Sequence, residues 1–167
     1  MGIGFVFLAV AVILAVLALP KKAYSSPSEA PGGPISLDSI IESTSREYGV
    51  EAALIRAVIK VESNFNPYAK NPSDPSYGLM QIMPILAADD GYIKDWANPT
   101  EGEIAFIMNP SINVKIGTAF LSKLLKKYPL ETAVQMYNVG EAGYNVKGAR
   151  NTAYLKKVME AYDEFRA

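Results

Sequence analysis

Residues 51–63 read EAALIRAVIKVES. At about 100° per residue, Leu54, Ile55, Val58, Ile59 and Val61 gather on one side and Arg56 and Lys60 on the other. This is the pattern of an amphipathic helix laid on a core, without the alternation a strand needs. Glu62 interrupts the pattern. It lies roughly 20° from Ile55 and roughly 40° from Val58, which puts its carboxylate on the flank of the apolar face, in the last helical turn. Partial burial disfavours the charged form there, and so does the negative end of the helix dipole. A carboxyl that keeps its proton near neutral pH can act as a general acid. A structural role, in which Glu62 bonds a neighbouring loop, is the alternative that periodicity leaves open.

Helical patterning continues on both sides. Over 36–48, Leu37, Ile40, Ile41 and Tyr48 form one stripe, and Gly49 is a natural stop. Residues 64–78 hold Pro67, Pro72 and Pro75 and are expected to be loop. A helical run over 79–90 is expected to break at Pro84, and 92–109 to be irregular with a short helix over 101–108. Asn109-Pro110 has the form of an N-cap followed by a first-turn proline. The helix it opens carries Ile116, Phe120 and Leu124, with Gly117 and Leu121 beside them, and ends before Pro129. A short helix over 131–138 is broken at Gly140 and Gly143. A last helix over 152–165 has Leu155, Val158, Met159 and Tyr162 as its apolar face. The expected fold is therefore mainly α, one compact helical domain over 35–167, with one long loop of functional character.

The N-terminal end differs. Residues 2–19 are uncharged and nearly all apolar. As a helix, 3–19 would measure about 26 Å, at the short end for a bilayer crossing. An uncleaved membrane anchor over 1–20 is the favoured expectation. A cleaved signal sequence and a buried soluble helix are the alternatives, though the segment has no charged n-region and a poor cleavage site. Residues 21–34 are Ser-, Pro- and Gly-rich after Lys21-Lys22 and read as a flexible linker. That lysine pair favours keeping its side in the cytoplasm, contrary to what chemistry outside the membrane would need.

Composition removes many mechanisms. Among 167 residues there is no His and no Cys. Catalytic triads that use His, Cys-His nucleophiles, disulfides and zinc sites built on His or Cys are excluded. No metal and no cofactor is expected. Sixteen basic residues against seventeen acidic ones give a net charge of −1, with no excess to neutralise phosphates, so nucleic acid is not an expected partner. Carboxylates, Tyr, Lys, hydroxyls and amides remain.

Three runs stand in order: Glu62-Ser63-Asn64-Phe65-Asn66-Pro67, then Tyr77-Gly78-Leu79-Met80-Gln81-Ile82-Met83-Pro84, then Ala133-Val134-Gln135-Met136-Tyr137-Asn138-Val139-Gly140. In this order and spacing they resemble the catalytic domain of the family 1 lytic transglycosylases, the SLT-type relatives of goose-type lysozyme. The resemblance covers roughly 35–162, with further matches at Asn109-Pro110, Asn113, Gly117 and the 154–158 stretch. It departs where Asp74-Pro75-Ser76-Tyr77 stands in place of a Gly-Ala type sequence, where Asn71 stands near a usual serine, and where Val139 replaces an alanine.

The resemblance implies a lysozyme-like α+β domain with a glycan cleft. It puts the catalytic acid/base on Glu62 and a tyrosine that hydrogen-bonds this carboxyl on Tyr137. It puts substrate contacts on Gln81 and Met83, with Met80, Asn138, Ser63 and Gly78 beside them. Residue chemistry is compatible with these roles. A Tyr hydroxyl orients a carboxyl without adding charge, an amide can pair with an acetamido group, and Met offers a soft apolar contact. Plainer roles stay open: Met80, Ile82 and Met83 as core, Gly78 as a backbone requirement, Tyr137 as a core Tyr with a satisfied hydroxyl.

The implied reaction opens the bond between N-acetylmuramic acid and N-acetylglucosamine in peptidoglycan strands and leaves 1,6-anhydromuramic acid ends. The enzyme would be anchored by its N-terminal helix, with the domain facing the cell wall, or secreted after signal cleavage. Two rivals remain. One is a hydrolytic lysozyme on the same scaffold, with Asp74, Asp89 or Asp90 activating water. The other is a non-catalytic glycan-binding or assembly module of a secretion, conjugation or phage apparatus.

Overall fold

A computed structural model describes residues 35–167. The expected anchor or signal over 1–20 and the linker over 21–34 lie outside the described residues. The described residues form eight helices in order: α1 (Leu37–Tyr48), α2 (Ala52–Ser63), α3 (Pro84–Asp89), α4 (Glu101–Met108), α5 (Pro110–Leu125), α6 (Leu130–Val139), α7 (Glu141–Asn145) and α8 (Thr152–Arg166). Among the described residues there are no strands, only isolated antiparallel bridges from Tyr77 to Lys70 and to Ile82. The domain is mainly α, and the expected β component is reduced to these two bridges. No single helix among the described residues is long and apolar enough to cross a membrane.

Capping explains most boundaries. The Ser36 hydroxyl accepts from the Ser39 amide at the start of α1, and Gly49 closes that helix in the left-handed region at φ 67°. Thr100 and Glu103 form a reciprocal capping box on α4. The Asn109 side chain accepts from Ser111 and Ile112 at the head of α5, with Pro110 in the first turn. Pro84 differs from expectation. It opens α3 instead of breaking a helix, because a first-turn proline loses no intrahelical bond. Gly143 likewise lies inside the short α7 and ends nothing.

α2 packs chiefly on α8, α1 on α5, and α5 on α6. Leu54, Ile55, Ala57, Val58 and Ile59 of α2 are buried, while Val61 is only partly so. On α8 the buried face is Tyr154, Val158, Ala161 and Tyr162. Leu155 and Met159, expected on that face, lie at its edge, because the stripe is rotated toward Tyr154. The polar side of α2 is held by Arg56 to Asp38 and Glu42 and by Lys60 to Glu164, surface pairs that each contribute at most about 1 kcal/mol.

The segment between α2 and α3 has no regular structure but is built into the core. Leu79, Met80 and Ile82 are almost wholly buried alongside Ile55, Ile59, Ile107 and Ile116. Asn113 of α5, itself fully buried, fixes this backbone. Its Oδ1 accepts from the Met80 amide at 2.7 Å, and its Nδ2 donates to the carbonyls of Tyr77 at 2.8 Å and Ile107 at 2.9 Å. The Tyr77 carbonyl also accepts from the Ile82 amide at 2.9 Å, so Asn113 matters most for the Met80 amide and the Ile107 carbonyl.

Candidate active site

Glu62 occupies the last turn of α2, and the chain leaves the helix through Asn64 and Phe65, both in the left-handed region at φ 49° and 63°. This sharp exit starts the long loop over the end of α2. The carboxyl is mostly buried. Burial pushes its pKa from the ordinary 4.5 up to about 7. A hydrogen bond from Tyr154 pulls the other way, and the charge of Asp74 pushes further up. Burial thus acts on Glu62 in the direction argued from the helix periodicity.

The tyrosines correct an expectation. The hydroxyl that meets Glu62 belongs to Tyr154 of α8, whose Oη lies 2.7 Å from Glu62 Oε1. Tyr137 of α6 donates instead to the Met80 carbonyl at 2.9 Å. Tyr154 is buried and Tyr137 largely so, and both phenols are pushed well above 10 by burial first and by the Glu62 charge second. Tyr137 therefore stands beside Glu62 electrostatically while its hydrogen bond secures the loop. Tyr154 was legible only as part of a matching stretch. Its place on the apolar stripe with Val158 and Ala161 is the one signal that it turns inward toward α2.

The remaining expected residues divide. Met80 is wholly buried, with its thioether beside the Thr118 hydroxyl, so its side chain is core and has no surface for a ligand. Gly78 has φ 78°, and a Cβ there would collide with the Asn113 amide, which makes its role a backbone one. Ser63 donates its hydroxyl to the Ile59 carbonyl within α2. Gln81 is a non-glycine residue at φ 50°, and its amide is engaged within the loop. Its Nε2 donates to Gly78 O at 2.9 Å, and its Oε1 accepts from Ser76 at 3.1 Å. Met83 is 43% exposed at the head of α3. Asn138 is exposed, and its Oδ1 accepts from Asn151 Nδ2 at 2.8 Å. Met83 and Asn138 are thus the expected contact residues with free surface.

One glycine ties these parts together. Gly117 of α5 faces the site, and a Cβ there would lie 2.6 Å from Met80 Sδ and 2.8 Å from Tyr137 Oη. Only a residue without a side chain lets α5 approach the loop and α6 this closely.

Known proteins share sequence and fold with this chain. Membrane-bound lytic murein transglycosylase C of Edwardsiella ictaluri is 36% identical over 91 residues, which are 53% of this chain and 24% of that protein. The crystal structure of an inactive mutant of the lytic transglycosylase Slt from Pseudomonas aeruginosa superposes with a TM-score of 0.53 at 21% identity, over 80% of this chain and 22% of that one. The latter likeness bears on the fold alone. The chain spans about a quarter of the length of these relatives. The sequence model of the Transglycosylase SLT domain matches residues 39–164, from α1 to near the end of α8 and across the whole constellation around Glu62, and the chain belongs to that family.

Proposed function

We propose that this domain is a peptidoglycan lytic transglycosylase in which Glu62 serves first as acid and then as base. The observation that carries the proposal is a mostly buried carboxyl, hydrogen-bonded by Tyr154 and protonated up to about pH 7, at the end of a helix. In the first step Glu62 gives its proton to the oxygen between N-acetylmuramic acid and N-acetylglucosamine, and the glucosamine side leaves as an alcohol. The substrate's own acetamido oxygen stabilises the charge at C1. The Glu62 carboxylate then takes the proton of the muramoyl 6-hydroxyl as that oxygen bonds to C1. An anhydro ring closes, Glu62 is again protonated, and no water is consumed.

The pKa of about 7 suits both halves of this cycle, because proton transfer in either direction then costs little near neutral pH. Tyr154 holds the carboxyl in one orientation through both steps. Tyr137, Gln81 and Gly78 act one layer out, by holding the loop that forms one wall of the glycan cleft. Met83 and Asn138 provide surface for the sugar strand, with Ser63 behind them. The N-terminal apolar segment over 1–20 would anchor the enzyme with its domain on the cell-wall side, or be removed in secretion. The membrane-bound relative named above favours an anchor. Work beside a secretion, conjugation or phage assembly suits a tethered domain of this kind.

Mass spectrometry of peptidoglycan digested by the wild type and by Glu62→Gln tests the proposal. Anhydro-muramoyl ends are expected from the wild type and none from the variant. Ordinary reducing ends alone would replace this activity with hydrolysis by the same domain. Undiminished activity of the variant would replace it with a mechanism that does not use Glu62.

A further inference from the structure

Asn151 makes two side-chain hydrogen bonds, and they join two parts of the site. It is the N-cap of α8, where its Oδ1 accepts from the Tyr154 amide at 2.9 Å. Its Nδ2 donates to Asn138 Oδ1 on α6 at 2.8 Å. Between the two asparagines the chain folds back on itself. The Ala149 amide donates to the Gly143 carbonyl at 3.0 Å. Arg150 lies over the Tyr144 ring, and its Nη1 donates to the carbonyls of Tyr144 and Ala149. The bond between Asn138 and Asn151 closes the base of this segment.

The polarity of this chain of bonds is fixed from one end. A backbone N–H only donates, so the Asn151 atom that meets Tyr154 N is the oxygen, and the atom that meets Asn138 is the NH2. Asn138 then turns its own oxygen to Asn151. Its Nδ2 is left without a partner among the described residues, on an exposed side chain. Asn151 stands one helical turn, about 5 Å of rise, before Tyr154, whose hydroxyl meets Glu62 at 2.7 Å. The unpartnered NH2 is therefore held close to the carboxyl by one side chain.

We propose that Asn151 is a positioning residue that sets substrate specificity: it locks the Asn138 amide so that Asn138 offers the glycan strand a hydrogen-bond donor. The inference rests on the glycan reading of the site. Sugar hydroxyls both donate and accept, whereas an acetamido carbonyl only accepts. A freely turning amide would present its oxygen as readily as its NH2 and could not tell a donor from an acceptor. Held by Asn151, Asn138 presents the NH2 alone, which selects an acetamido carbonyl of the strand.

The test is equilibrium binding of the full chain in detergent to purified peptidoglycan, with Glu62→Gln throughout so that the strands stay intact. Asn151→Ser keeps a capping oxygen for Tyr154 and removes the donor to Asn138. Binding is expected to weaken about three- to tenfold, the range for one lost hydrogen bond, with the thermal midpoint little changed. Asn151→Asp also keeps the cap but offers Asn138 an acceptor. It turns the amide over, and binding should weaken more than with Ser. In an Asn138→Ala background neither change should weaken binding further, because Asn151 acts on the strand only through that amide. Unchanged affinity in Asn151→Ser and Asn151→Asp overturns the inference and leaves Asn151 a helix cap. Losses that add to that of Asn138→Ala overturn it as well, and so does a parent protein that does not bind. Digests by the chain with Glu62 intact that lack anhydro-muramoyl ends would overturn the reaction assigned to Glu62, while binding still decides the role of Asn151.

Discussion

Replacing Glu62 by Gln should make the folded domain more stable above neutral pH while abolishing its activity. The reasoning is a linkage. In the folded chain burial holds the carboxyl protonated up to about pH 7, against 4.5 in the unfolded chain. Below pH 4.5 both states carry the proton, and Glu62 has no pH-dependent effect. Between those values the unfolded chain ionises and the folded chain does not, so stability falls as pH rises. Above pH 7 the full penalty is present, about 3 kcal/mol for a displacement from 4.5 to about 7. Gln is neutral at every pH, has nearly the same shape, and keeps an Oε1 to accept from Tyr154. The variant should therefore match the wild type's pH dependence near pH 4 and lose the decline above it. Urea titrations followed by far-UV circular dichroism at pH 4, 6 and 8 measure this. With a slope of about 2 kcal/mol/M, the variant's advantage should grow by about 1.5 M in midpoint between pH 4 and pH 8. Midpoints that stay parallel across this range would refute the burial argument, and with it the physical basis for Glu62 as the acid.

Three further outcomes follow from the same geometry. Tyr154→Phe removes the hydrogen bond that favours the Glu62 carboxylate, so the alkaline limb should move to higher pH, with kcat lowered on the order of tenfold. A pH–rate profile with an unmoved limb would contradict the bond's role. Gly117→Ala places a Cβ 2.6 Å from Met80 Sδ and 2.8 Å from Tyr137 Oη. The overpacking should cost about 2 kcal/mol, read as a lowered thermal midpoint, and an unchanged midpoint would show that the contact relaxes freely. Asn113→Ala removes the partner of the Met80 amide and the side-chain bonds to the carbonyls of Ile107 and Tyr77, of which Tyr77 keeps its bond from the Ile82 amide. A loss of about 3 kcal/mol or more in a guanidinium titration is expected, and a loss below about 1 kcal/mol would mean that water replaces the amide.

What the sequence made legible, and what it did not, follows from the range of the forces involved. Helix periodicity and capping are local, and α1, α2, α4 and α5 stand close to where Ser36, the 51–63 stripe, the 101–108 segment and Asn109-Pro110 put them. The half-buried setting of Glu62 is local too, because it depends only on the angle between that residue and Ile55 on one helix. Its partner is not. Tyr154 lies 92 residues away and meets Glu62 because α8 packs on α2 with its stripe turned one position from the expected one. A wheel drawn on Leu155, Val158, Met159 and Tyr162 hides that rotation, since Leu and Met make as good an edge as a face. Met80 shows the converse failure. A segment without a period gives no rule for which side chains point inward, and it is Asn113, thirty-three residues on, that turns the Met80 backbone so that its side chain enters the core. Two phenols, one loop carbonyl and one carboxyl could be paired in more than one way. The pairing found gives the carboxyl to Tyr154 and the loop carbonyl to Tyr137, which leaves the acid oriented by one helix and the cleft wall by another. The two can then be altered separately: a change at Tyr137 should act through loop position, and a change at Tyr154 through the proton on Glu62.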